Sequence, residues 1–161
     1  VPRGAVVICK WVRVGDWLVA PHYAYPVSIG HAEDLAKENG CELPTPELVD
    51  AIWRAADLKV EPLPRKHNGK IEQMASREVF EDQRKRIEEQ LSGKTGTLIA
   101  GTHKDVVRVN GKLGLYGWHR LDGTVIQPFY SKHALSWVDY SQGLRLVKRC
   151  TTGGGSKLPQ S

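Results

Sequence analysis

Three segments early in the chain carry apolar side chains at helical spacing, and the first two follow residues that can cap a helix. Ser28 precedes the first segment, which is expected to extend to about Glu38. Thr45 precedes the second, and Pro46 suits its first helical position because proline lacks the amide hydrogen that a helix start leaves unpaired. The third segment covers 76–91. The pattern therefore predicts three helices.

Alternating apolar and polar positions predict two groups of antiparallel strands. Near the start of the chain, the segments 5–14 and 17–20 are separated by a Gly15-Asp16 turn. Farther on, Asn110-Gly111 and Asp122-Gly123 are dipeptides that strongly favour two-residue hairpin turns. They predict a three-stranded meander over 102–109, 112–121 and 124–128, and a last strand over 143–148 is expected to close the sheet.

Two-residue turns also predict which residues face each other across the meander. Asp105 is expected opposite Tyr116, and His119 opposite Ile126. Helices early in the chain and an antiparallel sheet late in it predict an α+β fold. We expect one domain over 5–150 and a flexible tail over 151–161.

Composition agrees with one folded domain and excludes a disordered tail and a fibrous repeat. The chain has 161 residues, of which 40% are hydrophobic and 25% charged, as in ordinary globular domains. No apolar run approaches the roughly 20 residues that a membrane-spanning helix needs. The net charge is +5, which fits attraction to any polyanion, including an anionic cell envelope, and does not select among them. The basic residues are scattered, whereas nucleic-acid binders usually gather them in one stripe, so a nucleic-acid partner is not favoured.

The three cysteines lie far apart, at Cys9, Cys41 and Cys150. No C-x-x-C pair exists, so a structural zinc site is not predicted. Cys41 precedes the helix that Thr45 caps, and the positive end of a helix can lower the pKa of a nearby thiol. Cys41 is therefore the candidate nucleophile for a covalent step. The alternative is that Cys41 is a small buried apolar residue.

A possible catalytic group consists of His119, His133 and Asp139. A carboxylate beside an imidazole selects the tautomer and stabilises the imidazolium, which is the usual arrangement of a general base. The alternative is that His133 is a surface residue and that Asp139 caps a turn. Five further residues are candidates for binding substrate. The cations among them would bind an anionic group of the substrate, and the aromatic rings would stack on its sugars. They are Lys104, Trp118, Tyr140, Ser141 and Arg145.

Motifs over much of 15–148 resemble an uncharacterised family of bacterial secreted proteins with phage-borne members. The motifs are Gly117-Trp118-His119, Gln127-Pro128, His133 and the segment Asp139-Tyr140-Ser141-x-Gly143-x-Arg145-Leu146-Val147. Gln142 stands where the motif of that family usually has a histidine. The resemblance implies an extracytoplasmic or cell-envelope location, and it implies a polar cluster typical of an enzyme, but no particular reaction.

Two shorter resemblances bear on fold and metal binding. Leu43-Pro44-Thr45 and the terminal 143–147 segment are similar to the C-type-lectin-like fold of formylglycine-generating enzymes, without the metal and cysteine pairs of that enzyme. Ser131-x-His133-x5-Asp139 is similar to the S-x-H-x6-D arrangement of zinc D,D-peptidases of the cell wall. It is one residue shorter, and the later H-x-H is missing, so neither a metal nor another cofactor is predicted.

The sequence thus favours a small hydrolase that acts on bacterial cell-wall material of the peptidoglycan type. Two alternatives belong to other classes. One is a non-catalytic, C-type-lectin-like module that binds glycan or protein through aromatic loops, and the other is an accessory nucleic-acid-binding protein.

Overall fold

The computed structural model describes residues 10–65 and 76–150, which form an α+β fold. Its helices are α1 (Ile29–Glu38), α2 (Pro46–Ala55) and α3 (Arg77–Leu91). The side chains of Ser28, Thr45 and Ser76 each accept a hydrogen bond from the amide three residues farther on, at distances of 3.1 to 3.2 Å. All three predicted helices are confirmed, because each begins at a residue whose oxygen satisfies an otherwise unpaired amide.

The strands form three small sheets in the described part of the chain. A three-stranded antiparallel sheet contains β1 (Val12–Val14), β2 (Trp17–Val19) and β9 (Val147–Arg149), with β2 in the middle. A parallel pair joins β3 (Leu58–Lys59) to β4 (Ile99–Ala100). The third sheet has the order β7-β6-β5-β8, from β5 (Lys104–Val109), β6 (Lys112–His119), β7 (Val125–Tyr130) and β8 (Gln142–Gly143).

The predicted meander is confirmed, but one of its turns is longer than expected. Asn110 and Gly111 both have positive φ and join β5 to β6 as a two-residue turn, and Asp105 lies opposite Tyr116. At the second turn the Arg120 amide pairs with the Thr124 carbonyl, which leaves a three-residue loop. The expected pairing of His119 with Ile126 is therefore wrong, and His119 faces Val125. A turn closed by a left-handed glycine, here Gly123 at φ +92°, favours this longer loop.

The predicted last strand is divided between two sheets. Gln142–Gly143 runs parallel to β5, whereas Val147–Arg149 pairs antiparallel with β2. Between them, Leu144 exchanges both backbone hydrogen bonds with Ala24. Of the first predicted strand, only Val12–Val14 is observed as β1, and 5–9 lie outside the described residues, as does the expected tail over 151–161.

Two apolar clusters hold the elements together. One joins α1 to the β5–β6 hairpin, and the other joins the buried face of α2 to β2, β4 and β9. Because α2 also lies against β5 and β6, the middle of this helix reaches the end of β6 at His119. Among the residues described, no helix combines the length and hydropathy needed to cross a membrane.

Candidate functional site

A histidine and an aspartate meet where α2 packs on the end of β6. His119 Nε2 lies 2.8 Å from Asp50 Oδ1, and the Tyr116 hydroxyl donates to the same oxygen, also at 2.8 Å. The Trp53 ring stacks on the imidazole with 5.3 Å between centroids. The His119 residue is only 4% exposed, whereas the Asp50 side chain is 35% exposed. The imidazole is thus held in one orientation beside a carboxylate that solvent reaches.

The backbone of β6 makes this arrangement possible. Tyr116 and His119 are three residues apart, and in a regular strand such residues point to opposite faces. Gly117 and Trp118, however, have φ values of +110° and +62°, and a register shift in the pairing with β7 occurs at the same place. A positive φ is costly for a bulky residue such as tryptophan and often marks a functional site. Here the local reversal brings both side chains to Asp50.

A narrow cavity lies behind the imidazole. Its polar lining comes from Tyr23, His103, Asp105, His119 and Arg145. The Tyr23 hydroxyl donates a hydrogen bond to Asp105 Oδ1. Burial raises the pKa of Asp105 to about 7, against the opposing effect of the nearby Arg145 cation. Burial thus favours the protonated form of this carboxyl group.

Arg145 is fully buried, and backbone oxygens bind its guanidinium group. Nη1 and Nη2 donate to the carbonyls of Ala20 and Ile99, each at 2.6 Å, and Cζ lies 4.3 Å from the centre of the Tyr23 ring. This residue was a candidate for binding an anionic group of the substrate. The structure places it in the interior, where it connects the segment before Tyr23 to β4.

His103 is also buried in this region. Its Nδ1 lies 2.9 Å from the Thr102 hydroxyl, and the Tyr25 ring lies over it with 4.1 Å between centroids. Burial lowers the pKa of His103 to about 3, so the ring is neutral at physiological pH. A neutral imidazole offers one donor and one acceptor nitrogen.

The carboxylate of Asp139 belongs to a separate polar group. It lies 2.9 Å from Lys104 Nζ and accepts hydrogen bonds from the Ser141 hydroxyl at 2.7 Å and the Ser141 amide at 2.8 Å. Burial alone would raise the pKa of Asp139, but the Lys104 charge and these hydrogen bonds lower it. Three predicted site residues are therefore brought together here: Lys104, Asp139 and Ser141.

His133 reaches this group through an aromatic ring. Its imidazole stacks on Trp137 at 4.0 Å with an angle of 4° between the rings, and the Trp137 Nε1 hydrogen points to Asp139 Oδ2 at 3.4 Å. Within the described ranges, no hydrogen bond joins His133 to Asp139. The predicted trio is thus divided: His119 pairs with Asp50, and His133 lies over Trp137.

Removing the charge of Asp139 should change how stability depends on pH. A carboxyl group whose pKa is lowered by folding stabilises the protein above its unfolded pKa of about 3.9, and this stabilisation disappears as the pH falls through the lower folded value. Wild type should therefore lose stability below about pH 5 more steeply than Asp139→Asn. Urea denaturation at several pH values measures this. If the stability of the two proteins changed equally with pH, the conclusion that folding lowers the pKa of Asp139 would be contradicted.

Cys41 follows the end of α1 and lines a pocket to which neither His119 nor His133 contributes. Its Sγ donates to the Asn39 carbonyl at 3.3 Å, and partial burial raises the pKa of the thiol. A nucleophilic cysteine needs the opposite shift, because the thiolate is the reactive form. Cys41 and Cys150 are free thiols, and Cys9 lies outside the described residues.

The remaining predicted binding residues, Trp118 and Tyr140, are both buried. Their rings meet edge to face at 6.0 Å, and the Tyr140 hydroxyl accepts a hydrogen bond from the Arg65 amide at 2.7 Å. Among the described residues, the exposed aromatic side chains are those of Phe129 and Tyr130, at 36% and 40% exposure. In the parts of the chain that the structure describes, no three potential metal ligands converge.

The sequence did not identify Asp50 as the carboxylate that binds His119. Asp50 lies between the buried Val49 and the half-buried Ala51, near the apolar side of α2. An acidic residue at such a position is a usable signal, because a carboxylate is rarely placed beside a core without a partner.

Comparison of the chain with protein-family models, with curated proteins and with solved structures finds no match.

Proposed function

We propose that this protein is a small hydrolase of bacterial cell-wall material in which His119 is the acid–base group and Asp50 orients it. The observation that carries the proposal is the 2.8 Å contact between His119 Nε2 and Asp50 Oδ1 at a carboxylate open to solvent. Asp50 takes the orienting role that the sequence suggested for Asp139.

The proposed chemistry follows from the hydrogen bonds of the imidazole. With Nε2–H donating to Asp50, the lone pair of Nδ1 is available to accept a proton from an attacking water molecule. Asp50 then stabilises the imidazolium that forms. Tyr116 donates to the same carboxylate oxygen and holds it in place. The imidazolium finally protonates the amine that leaves.

The proposed substrate class is an amide bond of peptidoglycan. Two features of the sequence support it: the net charge of +5, which attracts anionic polymers, and the resemblance of the Gly117-Trp118-His119 and 139–147 motifs to secreted, phage-borne proteins. The same resemblance supports an extracytoplasmic location.

A second candidate function is a non-catalytic glycan-binding module, and one observation favours it. The rings of Tyr130, His133 and Trp137 lie in a row. His133 stacks on Trp137 at 4.0 Å, and Tyr130, which is 40% exposed, lies 4.7 Å from His133 with its ring tilted by 60°. Exposed aromatic rings are suited to stacking on sugars.

The test is mass spectrometry of soluble fragments released from purified peptidoglycan, together with sedimentation of the protein with the insoluble polymer. Release of fragments by the wild type supports the hydrolase, and their masses identify the bond. Sedimentation without release supports the binding module. If neither is observed, the cell-wall proposal is wrong.

Cys41→Ala is expected to release fragments at the wild-type rate. The raised pKa of the thiol, and its place in a different pocket from that of His119, leave it no part in the proposed chemistry. The measurement is the initial rate of fragment release, with Cys150→Ala as the matched control because it removes the other described free thiol. A loss of activity confined to Cys41→Ala would instead support a covalent cysteine mechanism.

A further inference from the structure

A second cavity, of about 460 Å³, lies between α3 and the segment that contains Tyr25 and Pro26. Its other lining residues, all on α3, are Arg77, Phe80, Glu81 and Arg84. These four positions are spaced i, i+3, i+4 and i+7, so they lie on one face of the helix. In the described part of the chain, neither His119 nor Asp50 contributes to this lining. The volume is within the range of small-molecule binding sites.

Two aromatic residues give this cavity apolar walls. Phe80 is half-buried, but neither of the two apolar clusters of the fold includes it or any other residue of α3. The Tyr25 ring packs on the buried imidazole of His103, with 4.1 Å between the ring centroids, and His103 does not line the cavity. A residue outside the cavity therefore holds the Tyr25 wall in place, and the Phe80 wall is left for the cavity rather than the core.

The cavity also carries a cation without an ion-pair partner. Arg77 Nε donates to Glu81 Oε1 at 3.0 Å, so the charge of Arg77 is already balanced. Arg84 is exposed, and among the described residues it has neither a hydrogen bond nor an ion pair. Its charge acts on Tyr25: burial and the Glu88 carboxylate raise the pKa of the Tyr25 hydroxyl, and the Arg84 cation opposes this shift. Arg84 and the protonated hydroxyl thus offer positive charge and a donor at one cavity.

Polar contacts hold α3 against an extended segment earlier in the chain. The Gln90 side chain accepts from the Glu61 amide at 2.9 Å and donates to the Glu61 carbonyl at 2.8 Å. Gln83 Nε2 donates to the Leu63 carbonyl at 3.3 Å. Gln83 and Gln90 are seven positions apart and share one side of the helix, whereas Arg84 is rotated from Gln83 by about 100°. The contacts that fix α3 therefore leave the side that carries Arg84 available to a ligand.

We propose that the cavity between α3 and Tyr25 binds a small organic anion in which a carboxylate group is attached to an apolar ring. The guanidinium group of Arg84 binds the carboxylate, because its parallel N–H groups match the two carboxylate oxygens. The ring of the ligand packs against Phe80 and Tyr25, as in sites that combine apolar walls with a few polar groups. The site goes beyond the proposed hydrolase, since the His119–Asp50 pair takes no part in it.

The test is an NMR titration of the ¹⁵N-labelled protein with sodium benzoate at constant pH and ionic strength. The backbone amide signals of Tyr25, Phe80 and Arg84 should shift and reach saturation, whereas those of Asp50 and His119 should not move. Two other probes separate the parts of the ligand. Benzamide has nearly the same shape without the charge, and inorganic phosphate has the charge without the ring. Each should bind roughly fivefold or more weakly than benzoate, because each lacks one of the two kinds of contact.

Arg84→Gln should raise the Kd for benzoate roughly fivefold or more, because it removes the charged donor. Lys85→Gln is the matched control: it removes one charge from the same helix at an exposed position that does not line the cavity, and it should leave the Kd unchanged. Equal weakening by both variants, equal binding of benzamide or phosphate, or no saturable shift with benzoate would overturn the proposal. Because these measurements need no peptidoglycan, failure of the fragment-release assay would reject only the hydrolase.

Discussion

Asp50→Asn and His119→Gln are each expected to lower the rate of fragment release from peptidoglycan by roughly 10²–10⁴-fold, the contribution typical of general acid–base catalysis. His119→Gln removes the group that accepts the proton. Asp50→Asn keeps the shape of the side chain, but its amide can donate to Nε2 and thereby select the wrong tautomer, and it no longer stabilises the imidazolium. Initial rates, compared with circular dichroism spectra that confirm folding, measure the effect.

The control variants are His31→Gln and Asp34→Asn, which make the same chemical changes at exposed positions of α1. Both should retain the wild-type rate. If Asp50→Asn also retains it while wild type is active, the His119–Asp50 pair is not the catalytic group. In that case His133→Ala becomes the next variant to test, because His133 and Asp139 are the other predicted acid–base residues.

Arg145→Met is expected to lower the free energy of unfolding by about 3–5 kcal/mol, the range found when one partner of a buried charge interaction is removed. The variant leaves the carbonyl oxygens of Ala20 and Ile99 without their donors. It also removes the cation that favours ionised Asp105. Chemical denaturation at neutral pH measures the loss as a lower midpoint at an unchanged slope.

Arg149→Met provides the matched control for this prediction. Arg149 is an exposed cation on β9 whose Cζ lies 4.4 Å from the Trp17 ring centre. Its replacement should change stability by no more than about 0.5 kcal/mol. Arg145→Lys keeps the charge but cannot reach both carbonyls, and it should fall between the two if Arg145→Met fails to fold. Equal stability of Arg145→Met and Arg149→Met would contradict the conclusion that Arg145 stabilises the fold.

The partners that meet in the candidate site are not neighbours in the sequence. His119 lies beside a carboxylate, but that carboxylate is Asp50, 69 positions away along the chain. Asp139 lies close to His133 in sequence, but its carboxylate pairs with Lys104 and accepts a hydrogen bond from the Ser141 hydroxyl. Proximity in the sequence suggested Asp139 as the partner of His133, but the ring of Trp137 stacks on His133 and its Nε1 points to Asp139 Oδ2.

The sequence by itself determined the helix starts at Ser28, Thr45 and Ser76 and the tight turn at Asn110-Gly111, because these features depend on contacts between residues only a few positions apart. Only the tertiary structure decided the pairing of His119 with Asp50 and the burial of Arg145. Both require α2 and distant loops to pack against the sheet, and the first also requires the left-handed backbone at Gly117-Trp118 to turn His119 toward α2. The local sequence pattern does not predict such contacts, since they form only when distant segments pack together.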